Sequence, residues 1–291
     1  QDDVWAEDAG VRISSSYAPM GAGMVVDGGY LVNGNWLWSS GCDHATWTFV
    51  GGPVIKDGRP VDFGSFLMPL GDYQIRDEWN VMGLKGTGSN TLVVKDVFVP
   101  RHRFLSYGAM NDGTAGGLQN NTAAVYRMPW GTMHPTTISS PIVGMAYGAY
   151  AAHVEHQGKR VRAAFAGEKA KDDPFGKVRI AEAASDIDAA WRQLRGNLAE
   201  EYALLCDGKQ VPMELRARAR RDQVRATGRA IASIDRLFEA AGATALNNDQ
   251  PLQRFWRDAH AGRVHAANDA ERAYVMYGNQ EFGLPLGDTM V

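Results

Sequence analysis

The sequence predicts an α+β fold, a small β-barrel or sandwich followed by a four-helix bundle, on three observations. Hydrophobic residues alternate with period two from Val11 to about Phe104. After Pro135 they recur every three or four residues. Between these halves, Leu105 to about Pro135 is rich in Gly, Asn, Thr and Met, as in LSYGAMNDGTAGGLQNN, and reads as an irregular connection. The expected organisation is a β domain over 1–105, a connection over 106–135 and a helical domain over 136–291.

Each element follows from local chemistry. GGYLVNGNWLW, ATWTFVGGPV, DFGSFLMPL, YQIRDEW and NTLVVKDVFVP alternate in polarity and are rich in β-branched and aromatic residues. Turns at Asp27-Gly28-Gly29, Asn33-Gly34 and Asp57-Gly58 predict antiparallel strands between them. Four long helices are expected in the second half. The first runs from about Thr136 to Ala166, and the second carries an apolar stripe of Ile180, Ala184, Ile187, Trp191, Leu194, Leu198, Tyr202 and Leu205. The third runs from Pro212 to Ala241, with Pro in the first turn and Gly242 as its stop, and the fourth from Pro251 to Tyr277. Helices of this length on short turns pack antiparallel.

The chain has 291 residues, 45% hydrophobic and 22% charged, with a net charge of -3. That balance fits a soluble globular protein with a sizeable core and carries no overall bias toward nucleic acid or anionic membrane. Cys42 and Cys206 lie far apart without ligand spacing, which predicts two ordinary buried thiols in a reducing compartment. No apolar run reaches membrane-spanning length, and the start has neither a basic nor an apolar leader region, so a cytoplasmic protein is expected.

The densest chemistry is WSSGCDH, Trp38 to His44, where Ser39, Ser40 and Gly41 follow Trp36 and Trp38 at a strand end. Small hydroxyl donors beside flat aromatics suit a planar heterocycle, whereas the structural alternative is serines that cap a turn. Ser14, Ser15 and Ser16 precede Tyr17-Ala18-Pro19, where a strand is expected to break into a loop. In RDAHAGRVHAAND, His265 and Asp269 are four apart and would share a helical face, so that the carboxylate orients the imidazole for acid–base work. His260 points elsewhere, and His153 and His156 read as surface residues without a metal site. Arg160 and Arg162 close the first long helix, where they either oppose its dipole or fork onto phosphate oxygens. RARARRDQVR reads as a solvated face or a subunit contact, and KGTGSN, leading into a strand, does not read as a phosphate loop.

The order SSSYAP, WSSGCDH, NVMGLKGTGSNTLVVKDVFVP, YRMPWG, KRVRAAF, EAAGATAL and RDAHAGRVHAAND resembles the oxygenase component of two-component flavin monooxygenases. That group has the acyl-CoA dehydrogenase fold and includes 4-hydroxyphenylacetate 3-hydroxylase and a hydroxylase of phenolic secosteroids. The resemblance spans essentially the whole chain, down to the GDTMV ending. It implies a middle β-barrel followed by a C-terminal four-helix bundle. In such enzymes an N-terminal helical domain comes first, and the resemblance implies that this chain begins at the junction without it.

The resemblance also implies a chemistry. Reduced FMN or FADH2 arrives from a separate NAD(P)H-flavin reductase, reacts with O2 to a C4a-hydroperoxyflavin, and ortho-hydroxylates a phenol, in a homotetramer that builds each flavin site across subunits. Ser40 matches the serine near flavin N5, with Trp38 and Ser39 lining the ring. Ser15, with Ser14 in the same loop, matches a serine near the phenol. His265 matches the C-terminal active-site histidine, with Asp269 as its neighbour. Arg160 and Arg162 match the phosphate-binding position, Arg127 one near the isoalloxazine, and Gly242 and Ala243 a loop turned toward a neighbour's cofactor. Two other readings stand beside it. An acyl-CoA dehydrogenase proper needs a carboxylate base where the chain offers His265, and a catalytically silent subunit would not bind reduced flavin.

Overall fold

Trp36 fixes the first half of the molecule. Its side chain has no solvent exposure, and its indole Nε1 donates to the Gly51 carbonyl at 2.7 Å, so the ring is buried with its one polar atom satisfied. The ring needs room from two glycines that face each other across a strand pair: a Cβ on Gly21 would lie 2.3 Å from it, and one on Gly34 would lie 2.7 Å away.

The computed structural model describes residues 1–287; Asp288 to Val291, most of the GDTMV ending, lie outside the described residues. The chain divides into two compact units, Gln1–Val81 with Lys85–Asn120, and Met82–Leu84 with Asn121–Val291. The first holds α1 (Asp2–Trp5), β1 (Ile13–Ser16), β2 (Gly21–Val26), β3 (Gly29–Ser39), β4 (Trp47–Lys56), β5 (Arg59–Pro69), β6 (Gln74–Arg76), β7 (Asn90–Pro100), β8 (Phe104–Ser106) and α2 (Tyr107–Asn111). The strands form one sheet in the order β6-β7-β3-β2-β4-β5-β8, and β1 also pairs with β4. The expectation of antiparallel pairing needs correction at two places. β1 runs parallel to β4 along Trp47–Val50, and β2 runs parallel to the same strand at Val54 and Ile55. Tyr30, Val32, Trp36, Val50, Val54, Phe66, Met68, Leu92 and Val94 form this unit's core.

The second unit holds α3 (Trp130–Lys159), β9 (Val161–Arg162), β10 (Glu168–Lys169), α4 (Pro174–Cys206), α5 (Met213–Ala241), α6 (Pro251–Arg263) and α7 (Ala270–Glu281). Ile142, Val143, Ile187, Leu194, Ile231, Ile234 and Leu252 lead its core. α5 starts after Pro212 and stops at Gly242, as its caps predict. Two other helices differ from expectation. α3 begins at Trp130 and ends at Lys159, not near Pro135 and Ala166; it continues through Pro135 and Pro141, and Trp130 stacks on His134 one turn later at 4.6 Å. The last helix is broken: α6 ends at Arg263, a 3-10 turn spans Ala266–Asn268, and α7 begins at Ala270.

Side chains from α5 make that break. Asn268 Nδ2 donates to the Gly262 carbonyl at 2.9 Å, and its Oδ1 accepts from Gln223 Nε2 at 2.8 Å and Thr227 Oγ1 at 3.2 Å. Arg220 Nη1 donates to the Ala267 carbonyl at 2.7 Å. Arg220 is 2% exposed, so the basic run is not simply a solvated face. Two further expectations are corrected. His153 is fully buried rather than on the surface, and Cys206 is exposed while Cys42 is buried. Along α4 the buried stripe is Ala183, Ile187, Ala190, Leu194, Asn197, Glu201 and Leu205, which leaves Trp191 and Tyr202 exposed.

Candidate active site

Strand register places the serines. Ser15 and Ser40, twenty-five positions apart, face each other in an isolated antiparallel bridge; the strand breaks at Tyr17-Ala18-Pro19 as expected, so Ser14 and Ser15 lie on β1 and not in the loop. Their neighbours turn the other way, as a pleat requires. Ser39 Oγ donates to Ser14 Oγ at 3.1 Å and Ser14 Oγ donates to Thr48 Oγ1 at 3.0 Å, with Ser39 wholly buried and Ser14 3% exposed. Ser39 and Ser14 therefore do not present hydroxyls to a ligand on the outer face, contrary to the expectation that Ser39 lines a ring. They hold the strands that carry Ser40 and Ser15.

A bulge exposes Trp38. Period two would put Trp36 and Trp38 on one face, but β3 leaves its register with β7 at Trp36 and resumes at Ser39. In between, the Leu37 carbonyl accepts from Ser16 Oγ at 2.7 Å, and Trp38 takes φ 65. A bulky residue in that region is strained by roughly 1–2 kcal/mol. As a result Trp36 is core, Trp38 is 57% exposed, and Ser40 is exposed beside it.

Ser40 Oγ lies 2.8 Å from Ser89 Oγ, and Ser89 Oγ lies 2.7 Å from Thr87 Oγ1. KGTGSN thus has a place in the site that its pattern did not suggest, since no local signal links Ser89 to a serine 49 positions earlier. Burial pushes the Tyr17 phenol above its usual range, opposed by its hydrogen bond with Ser15.

The second unit places its candidates at helix ends. His265 caps the 3-10 turn, its Nδ1 accepting from the Ala267 amide at 3.1 Å. His265 is exposed, and partial desolvation of its ring by the atoms around it lowers its pKa from the usual value; with Nδ1 accepting, the neutral ring carries its proton on Nε2 and can donate from there. His134 meets it edge-on at 5.9 Å and is itself pushed down to about 4, mainly by burial and then by His265 and Arg220. Asp269 does not share a helical face with His265, because the helix is broken between them. Its Oδ1 accepts from the Arg272 amide at 3.2 Å as the N-cap of α7. In RDAHAGRVHAAND it is His260 that has a carboxylate beside it, its Nε2 lying 3.2 Å from Asp235 Oδ1.

The arginines also meet helix ends. Arg127 Nη2 donates to the Leu205 carbonyl at 3.2 Å, which also accepts from the Gly208 amide, and Arg160 Nη1 to the Ala240 carbonyl at 3.1 Å, which also accepts from Gln157 Nε2, so both cations oppose the dipole near a helix C-terminus. Gly242 has φ 78, which favours glycine, and a Cβ there would lie 2.1 Å from Arg160 Nη2 and displace that guanidinium. Ala243 follows it, exposed, into a 3-10 turn. Arg162 is paired with Asp173 at 3.0 Å and Glu168 at 3.6 Å. Beside them is a cavity of about 220 Å³ lined by Arg160, Arg162, Lys171, Lys177 and Arg179 among others, whose cations outnumber its one carboxylate, Asp173, and suit an anion.

The chain is similar to known proteins. Residues 136–270 match the family profile of the acyl-CoA dehydrogenase C-terminal domain. The flavin-dependent monooxygenase oxygenase subunit HsaA of Mycobacterium tuberculosis is 83% identical over 291 residues, covering 100% of this chain and 74% of that protein. A crystal structure of the HsaA monooxygenase from that organism superposes with a TM-score of 0.95 at 81% identity, over 100% of this chain and 74% of the other. The oxygenase component of p-hydroxyphenylacetate 3-hydroxylase from Acinetobacter baumannii is 33% identical over 295 residues, covering 100% of this chain and 69% of that protein. XiaF from a Streptomyces species, solved with FADH2 and glycerol, gives a TM-score of 0.88 at 28% identity, over 99% and 72% of the two chains.

Proposed function

The chain belongs to the oxygenase subunits of two-component flavin-dependent monooxygenases with an acyl-CoA dehydrogenase-like domain, and from that membership we propose how it works. It takes reduced FMN or FADH2 from a separate NAD(P)H-dependent flavin reductase and uses O2 to hydroxylate a phenol ortho to its hydroxyl group. The observation that carries this reading is the Ser15–Ser40 bridge beside the exposed Trp38. It brings two hydroxyls and one flat aromatic face to a single edge of the sheet.

When bound, the flavin supplies the activated oxygen; the protein holds it, excludes water and orients the phenol. Trp38 offers its face to the ring, and Ser40 offers its hydroxyl to N5. Ser14 and Ser39 brace that edge from inside. Ser15 reaches the phenol, and His265 offers its Nε2–H as a hydrogen bond to the oxygen of a substrate that has released its phenolic proton to solvent. That hydrogen bond stabilises the phenolate, whose charge makes the ortho carbon nucleophilic. Arg160, Arg162 and the basic cavity suit the flavin phosphate, and Arg127 and the Gly242–Ala243 turn complete the cofactor's surroundings in a homotetramer. In this reading the sheet is the middle barrel of the fold and α3 to α7 make up its helical bundle. The relative named for p-hydroxyphenylacetate supports phenols as the substrate class.

The test mixes the anaerobic complex of enzyme and reduced flavin with oxygenated buffer and a panel of phenols. The expected result is an ortho-diol formed in near-equal amount to flavin consumed, with little hydrogen peroxide. Peroxide alone with every phenol, together with reduction of bound oxidised flavin by an acyl-CoA, would favour a dehydrogenase instead.

A further inference from the structure

Ser40 stands at the open end of a row of three hydroxyls. Its Oγ is 2.8 Å from that of Ser89, which is 2.7 Å from Thr87 Oγ1. Ser40 is exposed, Ser89 only 6% exposed and Thr87 half-buried, so the middle hydroxyl of the row is the one shielded from solvent. Backbone and side-chain bonds hold it there. The Gly41 amide donates to the Thr87 carbonyl at 2.7 Å, and Asn90 Nδ2 donates to both Asp43 carboxylate oxygens at 3.2 Å. Asn90 is also paired with Ser39 across the strands.

A hydroxyl has one proton to donate and two lone pairs to accept with, so such a row can run in either sense. Flavin N5 poses both demands. It carries a hydrogen in the reduced ring and is a bare acceptor in the oxidised one. A hydroxyl facing it must accept in the first state and donate in the second.

We infer that Ser89, backed by Thr87, is a positioning residue that lets the Ser40 hydroxyl reverse its hydrogen-bond sense between reduced and oxidised flavin. Toward the reduced ring, Ser40 accepts from N5 and donates its own proton to Ser89. Toward the oxidised ring, Ser89 donates to Ser40 and Ser40 donates to N5. The reversal rotates O–H bonds and makes or breaks no covalent bond. The inference rests on the reading that Ser40 faces N5.

Removing Ser89 harms the two states unequally. With oxidised flavin, Ser40 still has N5 to donate to. With reduced flavin, its proton loses its acceptor, and an orphaned donor costs more than a spare lone pair.

Ser89→Ala should raise the dissociation constant for reduced flavin about fivefold and that for oxidised flavin less than about twofold, as one hydrogen bond lost in one state requires. Both constants are read by anaerobic and aerobic flavin titration, and peroxide released per turnover should rise alongside. Ser89→Thr, which keeps a hydroxyl, should restore both, and Thr87→Val should act in the same direction more weakly. Adding Ser89→Ala to Ser40→Ala should change nothing further, since the row acts only through Ser40. Equal weakening of both flavin states, or effects that multiply in the double variant, would overturn the relay. A Ser40→Ala enzyme with unchanged reduced-flavin affinity and unchanged peroxide release would instead overturn the placement of Ser40 at N5, and the relay with it.

Discussion

The sheet unit and the helical unit handle polar side chains in opposite ways. In the sheet, adjacent serines part by pleat: Ser14 and Ser39 hydrogen-bond inward while Ser15 and Ser40 face outward. In the helical unit polar groups fill the interior, where Arg220, Gln223, Thr227 and Asn268 bond one another and the backbone of the 3-10 turn. Its candidate site residues, Arg127, Arg160, His265 and Asp269, are all engaged at helix ends. A strand therefore delivers a functional hydroxyl by register. A helical unit delivers one through where its helices stop, which distant side chains decide.

Changes at matched positions can break or sharpen this contrast. Trp36→Ala should destabilise the sheet unit by about 3–5 kcal/mol, as loss of a buried aromatic does, whereas Trp38→Ala should change stability by less than about 0.5 kcal/mol and weaken flavin binding. Urea unfolding and flavin titration of the two variants separate the effects. Equal stability losses would show that Trp38 is structural.

In the helical unit, Glu201 is the counterpart of the serine pair turned inward. It has no solvent exposure, and its Oε1 accepts from Thr132 Oγ1 at 3.1 Å. Burial raises its pKa to about 7. Because the folded-state value lies above the unfolded one, the folded protein binds the extra proton between them, and stability falls as pH rises from about 4.5 to 7. Full ionisation corresponds to at most about 3 kcal/mol, and Glu201→Gln should remove that slope. Denaturant melts at pH 5 and pH 8 measure it; an unchanged slope in the variant would assign the effect elsewhere.

Gly242→Ala should cost about 1–2 kcal/mol through its left-handed backbone and the displaced Arg160, with thermal unfolding as the readout. Asp269→Ala should cost about 1 kcal/mol, the usual loss for an N-cap, while the NMR titration of His265 stays where it was. A shift in that titration would restore the carboxylate–imidazole pair that the spacing of the sequence suggested.

The α+β order, most strand positions, the start and stop of α5, and Ser40 beside an aromatic were legible because each rests on local chemistry: period, caps, turn residues and the adjacency of hydroxyl and indole. The misread residues share one cause. His265 and Asp269 look like partners on one helix until Asn268, tied to Gln223 and Thr227, breaks it. Trp191 and Tyr202 look like core until Ala190 and Glu201 take the buried side of α4. Trp36 and Trp38 look equivalent until the bulge separates them. Ser89 carries no signal at all, because its meaning lies in a hydroxyl 49 positions away.

The sequence by itself determined the two periods, the turns and caps, and the set of motifs that marks the flavin monooxygenase family, since these depend on residues within a turn or two of each other. Only the tertiary structure decided which face of each strand or helix is buried, where the last helix breaks, and which hydroxyls meet at Ser40. Those outcomes depend on satisfying buried polar atoms with partners far along the chain, a balance that no local pattern encodes.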